Sequence, residues 1–280
     1  MSTSNSPSSA TEPAGGSSNG TPLLSVRGIT KRFGPVQALT RIDFEVPPGQ
    51  VTALAGDNGA GKSVTIKTIA GLWPPDEGQL LWEGKPVQLH GPRDSEALGI
   101  TTIYQDLALC ENLDIVQNMF LGHEELRHLL LDEGSMELAA KKTLDSLNVR
   151  TIRSIRQPVA SLSGGQRQSV AVAKAVMSKA KLVILDEPTA ALGVAQTRMV
   201  LDLITRLASQ GVAVLVVSHN LNDVFQVADR LVVLYLGRMV AQGPISDFDT
   251  TSVVEYMTTG RTTRNSDSGP SHPAQKGDAG

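Results

Sequence analysis

Residues 56–63 read Gly56-Asp57-Asn58-Gly59-Ala60-Gly61-Lys62-Ser63, and they connect the apolar run 51–55 to a helix-like segment, 64–71. Glycines let such a loop wrap closely around phosphate oxygens, so that backbone N–H groups and the start of the next helix point at the anion. The ammonium of Lys62 can reach the β and γ phosphates of a nucleotide, and Ser63 can bind magnesium. The stretch therefore predicts a phosphate site built on a strand, a loop and a helix.

Two further apolar runs, 181–185 and 212–217, lack polar alternation, which is typical of central parallel strands covered on both faces. The first is followed by Asp186 and Glu187, and the second by Ser218 and His219. Because ligands of such sheets bind beyond the carboxyl ends of the strands, we expect these polar residues to lie beside the phosphate loop.

The chemistry of these strand ends suggests a role for each side chain. Asp186 can hold the coordination shell of magnesium, and Glu187 can polarise a water for in-line attack on a γ phosphate. His219 can contact the γ phosphate or the attacking water. A solvated Asp-Glu pair and a structural histidine are the alternative interpretations.

The composition is that of an ordinary globular protein with a substantial core. The 280 residues include 25 Lys and Arg, 28 Asp and Glu, and 40% apolar residues, with a formal net charge of −3. A dedicated nucleic-acid binder is usually more basic, so no nucleic-acid partner is expected. The single cysteine, Cys110, excludes an internal disulfide and favours a reducing compartment. Neither a membrane-spanning run nor a secretory signal is recognisable.

The order of elements predicts an α/β protein with a largely parallel sheet. Segments 24–31, 42–46 and 80–89 resemble antiparallel strands with one face toward solvent. Residues from about 106 to 175 contain mixed helical segments and no convincing buried strand, so we interpret them as a helical insertion.

Both ends of the chain differ in composition from its middle. Residues 1–22 and 261–280 are rich in Ser, Thr, Pro and Gly, with little that could be buried, which predicts disordered tails. Residues 23–260 are therefore expected to form a single domain.

A second anion-binding helix start is encoded in Leu162-Ser163-Gly164-Gly165-Gln166-Arg167-Gln168. This heptapeptide resembles the signature of the ATP-binding cassette (ABC) ATPases, and it precedes Asp186 at that family's spacing. The resemblance covers 23–260. It implies a nucleotide-binding domain with a P-loop NTPase (RecA-like) core, an antiparallel β subdomain and a helical insertion subdomain.

The resemblance also implies the ligands, ATP and Mg²⁺, and a set of site residues. Gln105 matches the family's Q-loop glutamine, His219 its switch histidine, and Phe33 the aromatic residue that stacks on adenine. The catalytic residues would be Glu187, His219 and Gln105, and the metal would be held by Ser63, Gln105 and Asp186. The nucleotide-binding residues would be Phe33, Gly56, Asp57, Asn58, Gly59, Ala60, Gly61, Lys62, Ser63 and Val64.

In this family two subunits pair head to tail, so a second copy of the chain is an expected partner. The phosphate loop of one copy and the signature of the other would enclose each ATP; the signature residues are Leu162, Ser163, Gly164, Gly165 and Gln166. A γ phosphate that makes contacts only in the closed state shifts the equilibrium toward closure, and hydrolysis removes those contacts.

Two positions depart from the family pattern. Gly193 stands where much of the family has an aspartate, so a carboxylate link between the two sites of the dimer is in doubt. Val64 replaces a common threonine, which we expect to matter little because Ser63 carries the metal contact.

Among ABC ATPases, the stretches GDNGAGKS, LDEPTAALGV and VSHNLNDVFQVADR resemble the single-cassette ATPases of monosaccharide importers of the ribose and fructose type. The chain after His219 is too short for the regulatory domain of maltose-type importers. The resemblance implies a peripheral ATPase on the cytoplasmic face of the membrane that drives uptake of a simple sugar. Its partners would be an integral-membrane permease, docked at about 106–121, and indirectly an extracytoplasmic sugar-binding protein.

Other ABC classes fit the sequence less well. A repair-type ATPase would carry a long coiled coil between Lys62 and Ser163, and no heptad run is present there. Ribosome-associated forms generally carry two cassettes. An inactive regulatory cassette would lack one of four residues, all of which are present here: Lys62, Asp186, Glu187 and His219. A soluble ATPase of the cofactor-assembly type, without a permease, is the alternative that stays open.

Overall fold

The computed structural model describes residues 20–128 and 130–261. The predicted disorder of 1–22 and 261–280 therefore falls almost wholly outside the described residues. The strands are β1 (Leu24–Phe33), β2 (Val36–Val46), β3 (Val51–Gly56), β4 (Glu77–Trp82), β5 (Lys85–Val87), β6 (Ile100–Ile103), β7 (Leu126–Arg127), β8 (Leu130–Leu131), β9 (Leu182–Asp186), β10 (Ala213–Ser218), β11 (Arg230–Tyr235) and β12 (Arg238–Pro244).

The α-helices are α1 (Lys62–Ile69), α2 (Pro92–Leu98), α3 (Ile115–Phe120), α4 (Glu133–Ser146), α5 (Gly164–Met177), α6 (Val194–Ser209), α7 (Leu221–Val227) and α8 (Thr250–Thr259). Short 3-10 turns occupy Val159–Ser161 and Ile245–Asp247. None of the helices in the described part of the chain is long and apolar enough to cross a membrane.

The central sheet has the order β12-β11-β3-β10-β9-β6, and it is parallel except for β12 at its edge. Its strands alternate their side chains between two cores. In β10, Val214 and Val216 pack in the core formed with α5 and α6, whereas Leu215 and Val217 pack against the antiparallel sheet and α1. This two-sided burial explains why three strands appear in the sequence as unbroken apolar runs.

A second, antiparallel sheet has the order β2-β1-β4-β5, which confirms the predicted antiparallel strands. One expectation needs correction: residues 80–89 are not a single strand. The chain turns at Glu83 and Gly84, with φ of +50° and +79°, and returns as β5. Strand β2 is also longer than the predicted 42–46, because pairing with β1 extends it back to Val36 through a mixture of exposed residues and the buried Leu39.

Between β6 and β9 the described residues form helices and one small exposed hairpin, β7-β8. Helix α5 packs on α3, α4 and α6, and its apolar face contributes Val170 and Val172 to the same core as Ile115 and Met119. Helix α5 ends at Met177, and the limits of a helical subdomain at about 106–175 stay a prediction. The loops that follow β3, β6, β9 and β10 all lie at the carboxyl end of the parallel strands, as the pattern of polar residues predicts.

Candidate nucleotide-phosphate site

The phosphate loop joins β3 to α1 through backbone conformations that favour glycine. Gly59 and Gly61 have φ of +83° and +102°, in the left-handed region, and Gly61 is the residue that caps α1. No side chain caps this helix, so its first N–H groups are left to a ligand or to solvent. The loop therefore has the backbone arrangement that binds an anion.

Lys62 begins α1, and its side chain folds back over the loop. Its Nζ donates to the carbonyl oxygens of Gly56 (2.7 Å) and Asp57 (3.2 Å), and the residue is buried. The ammonium is thus held inside the loop, where it adds positive charge to the anion site.

A cavity of about 420 Å³ opens above the loop. The predicted residues Asp57, Asn58, Gly59, Gly61, Lys62, Ser63 and Val64 line it, together with 36–38, Leu236 and Gly237. Gly56 and Ala60 are buried and do not line it. Gly56 is needed for packing, because a Cβ there would lie 2.7 Å from the carbonyl oxygen of Leu234.

Glu187 connects the ends of three neighbouring strands. Its Oε1 lies 2.8 Å from His219 Nδ1 and 4.0 Å from Lys62 Nζ, and its Oε2 accepts a 3.5 Å hydrogen bond from Ser218 Oγ. The Glu187 side chain is 15% exposed, and that of His219 is 57% exposed. Glu187 itself has φ of +50°, a strained conformation that aims its carboxylate at this cluster. The sequence prediction that these side chains meet is confirmed.

Asp186 ends β9 beside Glu187. Burial, followed by the neighbouring charge of Glu187, raises the pKa of Asp186 above its ordinary value of 3.8, while Lys62 and Lys67 oppose the rise. A bound cation would relieve this electrostatic cost. The oxygens of Asp186, Ser63 and Gln105 are hard ligands of the kind that Mg²⁺ prefers, alongside substrate phosphates, so the residues present fit that ion.

Gln105 follows β6 and is exposed. It lines a second cavity, of about 330 Å³, together with Glu187, Pro188, Gly164 and Arg167. The described residues that line this cavity include none from the phosphate loop. Gln105 thus shares a cavity with the predicted catalytic carboxylate, and its part in holding a metal stays a prediction.

The signature forms the start of α5. Ser163 caps the helix: its Oγ accepts from Gln166 N (3.4 Å), and Gln166 Oε1 accepts from Ser163 N (2.9 Å). Leu162 is buried, whereas Ser163 and Gly164 are exposed. None of these residues lines the cavity above the phosphate loop of the same chain.

The two signature glycines have a packing role that the sequence does not reveal. A Cβ on Gly164 would lie 2.7 Å from Leu192 Cδ2, and one on Gly165 would lie 2.7 Å from Met199 Cε. The two glycines therefore lie close to the loop before α6 and to α6 itself, and a larger residue at either position would have to displace the side-chain end of Leu192 or Met199.

Phe33, predicted to stack on adenine, ends β1 and is 40% exposed. Its ring packs edge-on against Trp73, with 4.8 Å between the ring centroids, and Lys31 Nζ lies 5.6 Å from the centroid of the Phe33 ring. Phe33 does not line the cavity above the phosphate loop, whereas residues 36–38 do. Its contact with a base stays a prediction.

Sequence reasoning missed a pair of residues behind the site. Thr189 Oγ1 donates to Asp223 Oδ2 at 2.6 Å, and Asn220 Nδ2 donates to the same oxygen at 3.0 Å. The available signal was the spacing of Asn220 and Asp223 at the start of a helix, which is typical of a capping arrangement. Nothing local indicates the partner, Thr189, which lies far away in the sequence.

Comparison with known proteins agrees with this geometry. The profile of the ABC transporter family matches residues 39–190. The chain is 46% identical over 244 residues to the fructose import ATP-binding protein FrcA of Rhizobium meliloti, covering 85% of this chain and 94% of that protein. It is 46% identical over 236 residues to the xylose/arabinose import ATP-binding protein XylG of Sulfolobus acidocaldarius, covering 84% and 94%.

A solved structure is similar as well. The nucleotide-free ATP-binding cassette of an ABC transporter superposes with a TM-score of 0.72 at 27% identity, covering 84% of this chain and 98% of that one. The predicted fold class, a P-loop NTPase core with an antiparallel β subdomain, is thereby confirmed. The family profile, the two relatives and the fold agree, and the chain belongs to the ABC transporter family.

Proposed function

We propose that this chain is the ATP-hydrolysing subunit of an ABC importer. It would couple ATP binding and hydrolysis, at a head-to-tail dimer interface, to uptake of a simple sugar through a partner permease. The observation that carries the proposal is the meeting of Lys62, Glu187 and His219 beside an uncapped phosphate loop. The relatives named for fructose and for xylose/arabinose import support the sugar class.

Different residues of the chain would carry out different steps of hydrolysis. The loop N–H groups and Lys62 bind the phosphates and offset their charge. Glu187 Oε1, now 2.8 Å from His219 Nδ1, accepts a proton from the attacking water once that water takes its place between the two side chains. During this attack His219 holds the water or the γ phosphate in position.

The metal site would be formed by Ser63, Gln105 and Asp186. When bound, Mg²⁺ would supply positive charge that offsets the negative charge of the phosphates. Asp186 is suited to binding this cation, because burial beside Glu187 makes the charged form of Asp186 costly when no cation is present.

The second copy of the chain would supply Ser163, Gly164 and Gly165 to the nucleotide. The permease would contact the surface at about 106–121, where Leu107, Leu109 and Glu111 line the cavity beside Gln105. The chain would then be a peripheral subunit at the cytoplasmic face of a membrane, with a sugar-binding protein as an indirect partner on the opposite side.

The alternative is a soluble ABC ATPase of the cofactor-assembly type. Both relatives described above carry import names, which favours the transporter.

The test is to identify what binds the ATP-loaded chain. A tagged Glu187→Gln variant is isolated with ATP from gently solubilised host membranes and from the soluble fraction, and co-purifying chains are identified by mass spectrometry. A tagged Lys62→Ala variant, which lacks the phosphate contact, is the control. Recovery of a polytopic membrane protein with the Glu187→Gln variant but not with the Lys62→Ala variant supports the proposal. Recovery of soluble partners alone would replace the importer with the assembly-type ATPase.

A further inference from the structure

The turn between β11 and β12 carries an unusual residue. Leu236 and Gly237 are its two central residues, with φ of +45° and +75°. Two-residue hairpin turns with both φ values positive favour Asn or Asp before Gly, because a branched apolar side chain is strained in this conformation. Leu236 is also 68% exposed, so burial against the described part of the chain does not compensate for the strain.

This turn is fixed against the phosphate loop. Gly237 N donates to Ala60 O at 3.0 Å, and Gly237 O accepts from Thr40 N at 2.7 Å. A Cβ on Gly237 would lie 2.4 Å from Ala38 O, so the backbones are in close contact. The position of Leu236 is therefore determined by the same loop that binds phosphate.

Leu236 lines the cavity of about 420 Å³ above that loop. The lining has a polar part, which includes Lys62 and Ser63, and an apolar part, which includes Val36 and Leu236. Val36 is 61% exposed, so two apolar side chains face a cavity that none of the described residues fills. The polar part is suited to binding phosphates. The apolar part is suited to packing against the nucleoside of the same nucleotide.

We propose that Leu236 is a further nucleotide-binding residue, which packs with Val36 against the nucleoside part of ATP. The inference rests on the proposed function and deepens it by naming a contact outside the phosphate loop. Strained residues persist where a function depends on them, and here the function is an apolar surface held at a set distance from the phosphate loop. Binding would cover the leucine that the free chain leaves exposed.

The test compares Leu236→Asn with the unmodified chain. Asparagine adopts the left-handed conformation more readily, so the melting temperature of the variant should not fall. The Kd for ATP should rise about three- to tenfold, because most of one apolar contact is lost. The KM should rise with it while kcat is retained, as expected when a uniform binding contact is removed.

Two controls make the result specific. Leu130→Asn replaces a leucine of similar exposure (74%) on β8 and should change neither Kd nor melting temperature. Inorganic tripolyphosphate, which lacks the nucleoside, should bind Leu236→Asn and the unmodified chain equally.

The outcomes separate the inference from the function on which it rests. An unchanged Kd for ATP in Leu236→Asn overturns the contact and leaves the ATPase proposal intact. Equal weakening of ATP and tripolyphosphate also overturns it, since the turn would then act only through the phosphate loop. Failure of the unmodified chain to bind ATP overturns both.

Discussion

Thr189 Oγ1 donates a 2.6 Å hydrogen bond to Asp223 Oδ2, which ties the loop after β9 to the first turn of α7. Asp223 is 7% exposed and also accepts from Asn220 Nδ2. Thr189 lies two residues after Glu187, and Asn220 directly follows His219. We therefore expect the buried carboxylate to fix the positions of Glu187 and His219 relative to each other through these two neighbours.

The first prediction concerns this carboxylate. Asp223→Ala should lower kcat about tenfold and leave the KM for ATP nearly unchanged, because a small displacement of Glu187 raises the barrier by about 1.4 kcal/mol. Leaving two donors without an acceptor should also lower the free energy of unfolding by about 1–3 kcal/mol. ATPase assays per folded protein and urea titrations measure both.

Asn222→Ala is the matched control, since Asn222 lies on the same helix turn and is exposed. Partial rescue of kcat by Asp223→Asn, which keeps one acceptor, would support positioning. Loss of stability with normal kcat would show that Asp223 is only structural.

The second prediction concerns Glu187. Glu187→Gln should still bind ATP but lower turnover by about two to four orders of magnitude, the usual contribution of a general base. The ATP-bound variant should accumulate as a dimer, measurable by size-exclusion chromatography with light scattering. Asp202→Asn, on the exposed side of α6, controls for the loss of one charge. Near-normal turnover in Glu187→Gln would refute the role given to this carboxylate.

The third prediction tests the signature in trans. Ser163→Arg should abolish turnover while the single chain keeps its affinity for ATP, because the substitution lies outside the cavity above the phosphate loop. Ser161→Arg, two residues earlier and also exposed, should retain activity. Equilibrium binding and ATPase rates separate the two steps. A collapse of ATP affinity in Ser163→Arg would contradict the head-to-tail arrangement.

The fourth prediction follows from the raised pKa of Asp186. Since the folded chain holds this proton more tightly than the unfolded chain, the group's contribution to stability is complete below pH 3.8 and is lost as the pH rises through the folded pKa. Asp186→Asn avoids that loss. Without nucleotide, the variant should therefore exceed the unmodified chain in free energy of unfolding at neutral pH.

Urea titrations across pH measure this difference, which should shrink as the pH falls toward 3.8. Adding MgATP should reverse it at neutral pH, because only the carboxylate gains a cation. A difference that is constant across pH would show that Asp186 is not destabilised by its charge.

The fifth prediction concerns Gly193, the N-cap of α6, which provides no side-chain hydrogen bond to that helix. Its φ of −74° and ψ of 163° suit any residue, and a Cβ there would meet no atom within 4 Å. Gly193→Asp should therefore cap α6 and raise the free energy of unfolding by about 0.5–1 kcal/mol. Gly193→Ala should not reproduce the gain, and equal stabilisation by alanine would argue against capping.

The parts of the fold that the sequence predicts best are those in which local pattern and burial agree. Strands β3, β9 and β10 are apolar throughout because both faces are covered, and the polar residues that follow them had to share one edge. The phosphate loop is predicted equally well, because its glycines are required by the local backbone conformation.

Other features depend on contacts between distant segments and have no local signature. The packing of Gly164 on Leu192, the hydrogen bond from Thr189 to Asp223 and the position of Phe33 beside Trp73 are of this kind. The turn at Glu83 and Gly84 was missed for a different reason: the apolar residues on either side of it read as one continuous strand.

The capped start of α5 has a consequence for timing. Ser163 and Gln166 bind each other, and Gln166 Nε2 also donates to Thr151 O at 2.7 Å, so this segment is ordered in the single chain. In the proposed dimer, a second copy would contact a surface that needs no folding step before binding and no unfolding step before release. We therefore expect the nucleotide between the chains to set the lifetime of the closed pair, which should end when the γ phosphate is hydrolysed.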